Sequence, residues 1–349
     1  MHHGSPANAH VVPTAAPLLS LRMRASRVVP PTSASDEVHD RLRVLRQQES
    51  SPSYKCNDYL LRRKLESDNR PNGGSCSPSS IVQQSEVPLH EVDTLCREKM
   101  VDWSYRVIDH FHASRELVAI AFQYLDRFID KCSCDRTSFK LAAMTSLYVA
   151  TKVFHARELS MSSLADLSRG EFDVMHIAEM EGILLETLEW RMHPPTVQDI
   201  LHLLQNFLPC ERGPLHKALY QRAIFFAELS TFDYCFVTQP RTAIAIACLL
   251  NAMEGMEESV VTPADHASFV RAACHALDME YSQHLIESIR NRLWYVYSQS
   301  AQYQEDEILP SMPLSEPAHH EDPTICVTTD KLGGDQSPIS IVSSAAGTA

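Results

Sequence analysis

The sequence predicts an all-α protein in which two tandem five-helix units lie between disordered N- and C-terminal tails. Apolar residues recur at helical spacing from about Val92 to Tyr297, and glycine is scarce, with 10 residues in 349. Two strongly apolar runs rich in small residues, Leu141 to Ala150 and Thr242 to Asn251, lie about a hundred residues apart. Because such a run suits the centre of a helix bundle, its recurrence indicates a duplicated unit.

Composition divides the chain into five segments. The first is rich in Pro, Ala, Ser and Thr, and the last carries eight acidic residues against one lysine, a net charge of −7. Both compositions are typical of disorder. The segments are 1–53, mostly disordered but with a polar helix over 36–49; 54–95, a short helix over about 56–65 and a linker; 96–195, the first helical unit; 196–300, the second; and 301–349, the acidic Pro/Ser-rich tail.

The helices within the two units follow from apolar period, capping residues and prolines. In the first unit a helix ends before His112, and the next begins after Ser114 as its N-cap. The last helix ends at about Trp190, ahead of Pro194, because a residue before proline avoids helical angles. The third helix of each unit is the most apolar. The later predicted ranges are 136–154, 160–168 and 172–190 in the first unit, and 196–208, 214–232, 239–254, 262–276 and 279–298 in the second.

Charge and cysteine usage exclude several function classes. A net charge of −13 argues against general nucleic-acid binding, which needs a basic face. The ten cysteines lack the spacing of a zinc site, so we expect no metal, no cofactor and a reduced intracellular setting. No apolar run approaches the roughly 20 residues that span a bilayer, and we expect no membrane partner.

Two acidic residues interrupt apolar helix stripes. Glu181 lies among Leu184, Leu185 and Leu188, where a buried carboxylate would need a cationic or backbone partner, and Lys152 at the end of the third helix is a candidate. The plainer alternative makes Lys152 a routine C-terminal lysine and Glu181 partly exposed. Asp126 similarly requires a donor, and an internal ion pair with Arg97 is the favoured interpretation.

Four motifs in order make residues 97–196 resemble the cyclin box, the five-helix unit of cyclins. Each motif alone would be a weak signal, but their family spacing over about a hundred residues is a strong one. The second unit resembles the C-terminal cyclin fold more loosely. The motifs are Arg97 with Val101-Asp102-Trp103, Tyr124-Leu-Asp-Arg-Phe128, Tyr148-Val-Ala-Thr-Lys152, and Met180-Glu181 with Leu188-Glu-Trp190 and Pro195-Thr196.

The resemblance implies two tandem five-helix cyclin folds and a non-catalytic activator of a cyclin-dependent protein kinase. By this resemblance Lys152 and Glu181 hold the kinase, while Arg97 and Asp126 form a structural ion pair. The kinase would be activated because its C-helix is held in the active arrangement. Further apolar contacts implied for the kinase are Val149, Val153, Leu185, Trp190 and Met192.

A substrate-docking patch on the first and third helices is also implied, through Met100, Trp103, Phe139 and Lys140. This chain departs from the family pattern there: Lys99 replaces an apolar residue, Lys140 a neutral one, and Arg106 stands where an acid is frequent. Like charges disfavour approach, so we expect weakened or inverted selection for basic docking peptides.

The expected function is control of cell-cycle progression at G1/S, because residues 43–56 and Leu188-Glu-Trp190 resemble D-type cyclins. Expected partners are the kinase, its protein substrates and a ubiquitin ligase that would act through the tail, where Ser337 is a candidate phosphorylation site. The family implies the nucleus, and also the cytoplasm. Two alternatives stay open: a transcription-associated cyclin-fold protein, either a general transcription factor or a transcriptional cyclin, and a helical scaffold unrelated to kinases.

Overall fold

The structure is a computed structural model that describes residues 34–68, 92–154, 159–254 and 261–300. These residues form α-helices with two short 3₁₀ turns, and no strand occurs among them, which confirms the predicted all-α class. The disorder predicted for residues 1–33 and 301–349, the linker at 69–91 and the candidate site Ser337 lie outside the described residues. In chain order the helices are α1 Ala34–Ser50, α2 Tyr59–Asp68, α3 Thr94–His110, α4 Glu116–Lys131, α5 Arg136–Phe154, α6 Met161–Leu167, α7 Val174–Thr187, α8 Val197–Leu204, α9 Pro214–Phe232, α10 Arg241–Glu254, α11 Pro263–Leu277 and α12 Gln283–Ser298.

Helix α5 is the centre of the first unit. It contacts α3, α4, α6 and α7, and most of its residues from Phe139 to Thr151 are buried. Its small residues, such as Ala142, Ala143 and Ala150, let neighbouring helices approach on several sides. The apolar run in the sequence therefore marks the central helix as predicted.

Helix α10 has the same role in the second unit. Every residue from Thr242 to Met253 is buried, and the helix contacts α8, α9, α11 and α12. A helix that is apolar all round needs such neighbours on every side. The duplicated five-helix plan is thus present in the described residues.

Helix α1 and the segment after it tie the two units together. The carboxylate of Glu49, at the end of α1, accepts hydrogen bonds from the backbone N–H of Thr242 at 3.0 Å and from its hydroxyl at 2.5 Å. Asn57 then bonds to Asp130 of the first unit at 2.9 Å. We call residues 34–66 the strap, since they contact both units.

The junction between the units is buried. Thr196 is the N-cap of α8, and its hydroxyl donates to Glu116 Oε1 of the first unit at 2.6 Å. Pro194 and Pro195 are buried as well. The connection between the two units is therefore buried from Pro194 to Gln198.

Candidate functional site

Lys152 and Glu181 are brought into direct contact by the packing of α5 on α7. Lys152 Nζ donates to Glu181 Oε1 at 2.8 Å. The Glu181 side chain is 11% exposed and the Lys152 side chain 54%. The hydrogen bond to the carboxylate raises the pKa of Lys152, so the ammonium stays charged. The Lys152 ammonium is therefore a charge at the surface, and the largely buried Glu181 carboxylate holds it in position.

The start of α7 sets the position of Glu181. Asp173 is the N-cap: its carboxylate accepts from the His176 N–H at 2.9 Å, and His176 Nδ1 accepts from the Asp173 N–H, which forms a reciprocal capping box. The His176 N–H bond lowers the pKa of Asp173. From this start, Ile177 and Leu184 face the core and place Glu181 at its edge.

Helix α7 ends at Thr187, earlier than the predicted 190, because the chain turns left-handed. Glu189 and Trp190 have φ of 53° and 58°, a conformation that costs a residue with a side chain roughly 1–3 kcal/mol. Trp190 is nevertheless 69% exposed. An unfavourable backbone here presents a large apolar ring to solvent.

Residues of the Tyr-Leu-Asp-Arg-Phe motif hold this left-handed segment in place. The Arg127 guanidinium donates to the carbonyl of Arg191 at 3.1 Å and of Leu188 at 3.5 Å. The Tyr124 hydroxyl donates to the carbonyl of Met192. Both side chains are buried, so the turn that presents Trp190 rests on a fixed support.

The five apolar residues expected to contact a partner divide into two groups. Val153 and Trp190 are exposed and Leu185 is partly exposed, whereas Val149 and Met192 are 1% and 6% exposed. The last two therefore need correction: they lie beneath the surface and support it. Two exposed apolar residues were missed by the sequence analysis, Phe154 at 39% and Ile183 at 50%. Phe154 could have been found from the sequence, because it directly follows Val153, which was itself expected to contact a partner.

Arg97 and Asp126 lie in contact inside the protein. Arg97 Nη2 is 2.8 Å from Asp126 Oδ2, and the Tyr59 hydroxyl donates to Asp126 Oδ1 at 2.9 Å. Burial lowers the pKa of Arg97, but the Asp126 carboxylate more than offsets this and raises it overall. Arg97 also donates to the carbonyls of Thr231 at 2.6 Å and Phe232 at 3.3 Å. The pair therefore connects the first unit to α9 of the second.

The expected docking patch is largely closed in this structure. Met100 is 8% exposed and Phe139 1%, so Phe139 cannot form a contact surface, and Trp103 is partly buried. Lys140 forms an ion pair with Glu171. Arg106 forms another with Asp102, whereas Lys99 is exposed.

Within the described ranges, no group of three His, Cys, Asp or Glu side chains is arranged to hold a metal ion. In the same part of the chain, no helix has the length and apolar character needed to cross a bilayer.

Comparison with known proteins matches this architecture. The model of the cyclin N-terminal domain family matches residues 75–193. G1/S-specific cyclin-D1 of Mus musculus is 23% identical over 200 residues, which is 57% of this chain and 65% of the relative. Cyclin-D3-3 of Arabidopsis thaliana is 37% identical over 143 residues, 37% of this chain and 39% of that protein. The chain thus spans just under two thirds of the mouse relative.

A solved structure shares the fold. The crystal structure of a viral cyclin from herpesvirus saimiri matches with a TM-score of 0.50 at 17% identity, covering 60% of this chain and 88% of the viral chain. The family match covers the first helical unit, which contains the Lys152 and Glu181 pair and the Arg97 and Asp126 pair. Residues 75–193 belong to the cyclin N-terminal domain family.

Proposed function

We propose that this chain is the regulatory subunit of a cyclin-dependent Ser/Thr protein kinase, which it binds and activates without contributing a catalytic group. The observation that carries the proposal is the surface ion pair of Lys152 and Glu181, with the exposed apolar side chains of Val153 and Phe154 directly after Lys152 in the chain. A charged anchor next to a large apolar side chain is the composition of an interface hot spot. The support from relatives is the match of residues 75–193 to the cyclin N-terminal domain family and the likeness to G1/S-specific cyclin-D1.

The proposed mechanism is differential binding. A kinase is active when the glutamate of its C-helix pairs with the lysine that positions the ATP phosphates. A partner that binds this arrangement more tightly than the inactive one shifts the population toward it. The Lys152 and Glu181 pair and Val153 would contact the C-helix.

The test is co-purification of kinase activity from the chain's own cells. Wild type is compared with Lys152→Ala plus Glu181→Ala, and we expect the double variant to lose the kinase, since truncating charged interface pairs costs about 2–5 kcal/mol. The matched control is Arg292→Ala plus Asp233→Ala, because that pair in the second unit has similar exposures of 43% and 10%. Absence of any kinase from wild type, or appreciable DNA binding at physiological salt, would contradict the proposal.

The finer assignment is a D-type-like role at G1/S in the nucleus and cytoplasm. It is supported by the likeness to cyclin-D1 and Cyclin-D3-3. Depletion of the chain should then arrest cells before DNA synthesis. Arrest at a later stage, or a change in transcription alone, would favour the transcription-associated alternative.

The acidic segment 301–349, including Ser337, is proposed to recruit a ubiquitin ligase. Its content of acidic, proline and hydroxyl residues supports this. Deleting 301–349 should lengthen the half-life of the protein in cycling cells, and an unchanged half-life would refute the idea.

The surface around Trp103 is proposed to select substrates that are not basic. Lys99 is exposed on the same helix as Trp103. Arg106 and Lys140 already pair with Asp102 and Glu171, so a basic peptide would have to compete with them for these carboxylates. A basic docking peptide should bind Arg106→Glu plus Lys140→Gln more tightly than wild type. Equal binding would mean that these charges do not select.

A further inference from the structure

A cavity of about 570 Å³ lies where the strap meets the start of α10. Its wall carries three cationic side chains from three segments of the chain: Arg46 of α1, Lys55 of the loop that follows α1, and Arg241 at the first position of α10. Neutral polar side chains, among them Asn57 and Gln239, also line it. Cations that converge on one cavity concentrate their field there and attract an anion.

The Arg241 guanidinium has no protein partner in the described part of the chain, where it forms neither a hydrogen bond nor an ion pair. Burial lowers the pKa of Arg241, and the carboxylates of Glu49 and Asp126 raise it without restoring the ordinary value. Arg97 shows the opposite balance, because its direct contact with Asp126 raises its pKa overall. A guanidinium that has lost water without gaining a carboxylate would be stabilised by an anion from outside.

The two carboxylates in the wall of this cavity are engaged by neutral donors. Glu49 accepts hydrogen bonds from the backbone N–H and the hydroxyl of Thr242. Asp58 accepts from the Tyr234 hydroxyl at 2.9 Å. Neither carboxylate forms an ion pair within the described ranges, so neither neutralises a cation of the wall by direct contact.

The other two cations also keep their charge for a ligand. Arg46 donates to the carbonyl of Leu277 at 3.0 Å and to that of Asp278, which are uncharged acceptors. Lys55 is exposed, and its ammonium has no hydrogen bond or ion pair to any described residue. Three cations therefore face the cavity without a paired carboxylate.

A phosphate group suits this wall. The planar fork of an arginine donates two parallel hydrogen bonds to phosphate oxygens, and a lysine adds a point charge. The cavity is also larger than a phosphate group alone requires, and Pro240 and Met279 give part of its wall an apolar character. A residue that carries the phosphate would thus find room beside it.

We propose that this cavity binds a phosphate dianion, with Arg241 as the central anchor and with Arg46 and Lys55 contacting it from the strap. The bound group would link the strap to the second unit, next to the hydrogen bonds between Glu49 and Thr242. Two sources present the same chemistry: free phosphate, and a phosphorylated serine or threonine in a peptide. The site is independent of kinase binding and extends the proposed function.

Thermal melting of the purified full-length protein tests the site. Inorganic phosphate at about 10 mM should raise the melting temperature of wild type by roughly 2–4 °C over chloride of equal ionic strength, because a ligand of the folded form stabilises it. Arg241→Gln should abolish this rise and weaken phosphate binding by about tenfold or more in calorimetric titration. Without phosphate the variant should melt no lower than wild type, since the guanidinium has no protein partner to lose.

The matched control is Lys217→Gln, which removes an exposed cation of α9 that does not line the cavity and should keep the full rise. A rise that persists in Arg241→Gln, or that Lys217→Gln abolishes equally, would overturn the proposal. So would the absence of any rise in wild type with both phosphate and the phosphorylated peptide described next.

A peptide of residues 331–343, with and without phosphate on Ser337, distinguishes the two sources. If the phosphorylated peptide binds wild type about tenfold more tightly than inorganic phosphate and loses this affinity in Arg241→Gln, the cavity takes phosphorylated segments. If it binds no more tightly than inorganic phosphate, the cavity is a site for free phosphate. Equal binding of the two peptides, together with no effect of inorganic phosphate, would contradict a phosphate site.

Discussion

Arg97 and Asp126 meet through two hydrogen bonds, from Nε to Oδ1 at 2.9 Å and from Nη2 to Oδ2 at 2.8 Å. Their side chains are 4% and 8% exposed, so neither charge is solvated by bulk water. The same guanidinium also donates to the carbonyls that end α9. A single buried pair therefore serves both the first unit and its contact with the second.

Removing one member of this pair should be far more harmful than removing both. Asp126→Ala leaves Arg97 charged and buried, and we expect a loss of about 3–5 kcal/mol in the free energy of unfolding. Arg97→Met plus Asp126→Leu replaces both charges with apolar groups and should lose less. Urea denaturation measures both variants. A loss under about 1 kcal/mol for Asp126→Ala would mean that the pair behaves as an exposed one.

The Lys152 and Glu181 pair should matter little for folding. Lys152 is half exposed, so Lys152→Ala should change the free energy of unfolding by less than about 1 kcal/mol. Glu181→Leu in the same chain extends the apolar edge of α7 and should keep the double variant as stable as wild type. Thermal melting checks stability and co-purification checks kinase binding. A marked drop in melting temperature would reveal a structural pair.

Glu228 should make the protein less stable as pH rises. Burial raises the pKa of Glu228, an effect that Arg115 opposes without cancelling it. The folded chain therefore keeps this proton to a higher pH than the unfolded chain, and the free energy of unfolding falls as pH rises from the ordinary value of 4.5 through the raised pKa. Urea denaturation at several pH values should show a shallower fall for Glu228→Gln. An identical pH profile would contradict the assignment.

The strap is held to the second unit by Glu49 of α1, whose carboxylate accepts hydrogen bonds from Thr242 at the N-terminus of α10. Thr242→Val keeps the side-chain volume but removes the hydroxyl donor, and we expect a loss of about 1–3 kcal/mol. Hydrogen exchange of α1 amides should accelerate, while exchange in α5 should not. Thr137→Val at an exposed position is the control. Unchanged exchange in α1 would show that the strap is held elsewhere.

Several helices could be predicted closely because local signals agreed with packing. The predicted range 136–154 coincides with α5, and 214–232 with α9. In α5 the signal is an apolar character on most sides, and in α9 it is the apolar period together with Pro214 at the first turn. The end of α7 was misplaced because the left-handed turn at Glu189 and Trp190 is held by Arg127, whose contacts lie about 60 residues away along the chain.

The candidate site, too, could be predicted from the sequence only in part. Glu181 stood out because a carboxylate interrupted an apolar stripe, and Lys152 was the nearest candidate cation in the pattern. The burial of Val149 and Met192 was not accessible, because a helix that is apolar on most sides gives no periodic sign of which side faces solvent. The contact of Arg97 with Thr231 depends on how two units pack, which neither unit's sequence pattern records.

The buried corner at Thr196 has a consequence for how the molecule can be divided. A cut between residues 195 and 196 would expose Pro194, Pro195 and Thr196 to water and remove the acceptor of the Thr196 hydroxyl. The first unit made alone would also leave Arg97 without its carbonyl acceptors in α9. We therefore expect each isolated unit to aggregate or be degraded, and the two units in the intact chain to melt in a single cooperative transition. A gene fragment that encodes one unit would then yield no functional protein, even though each unit has all five of its helices.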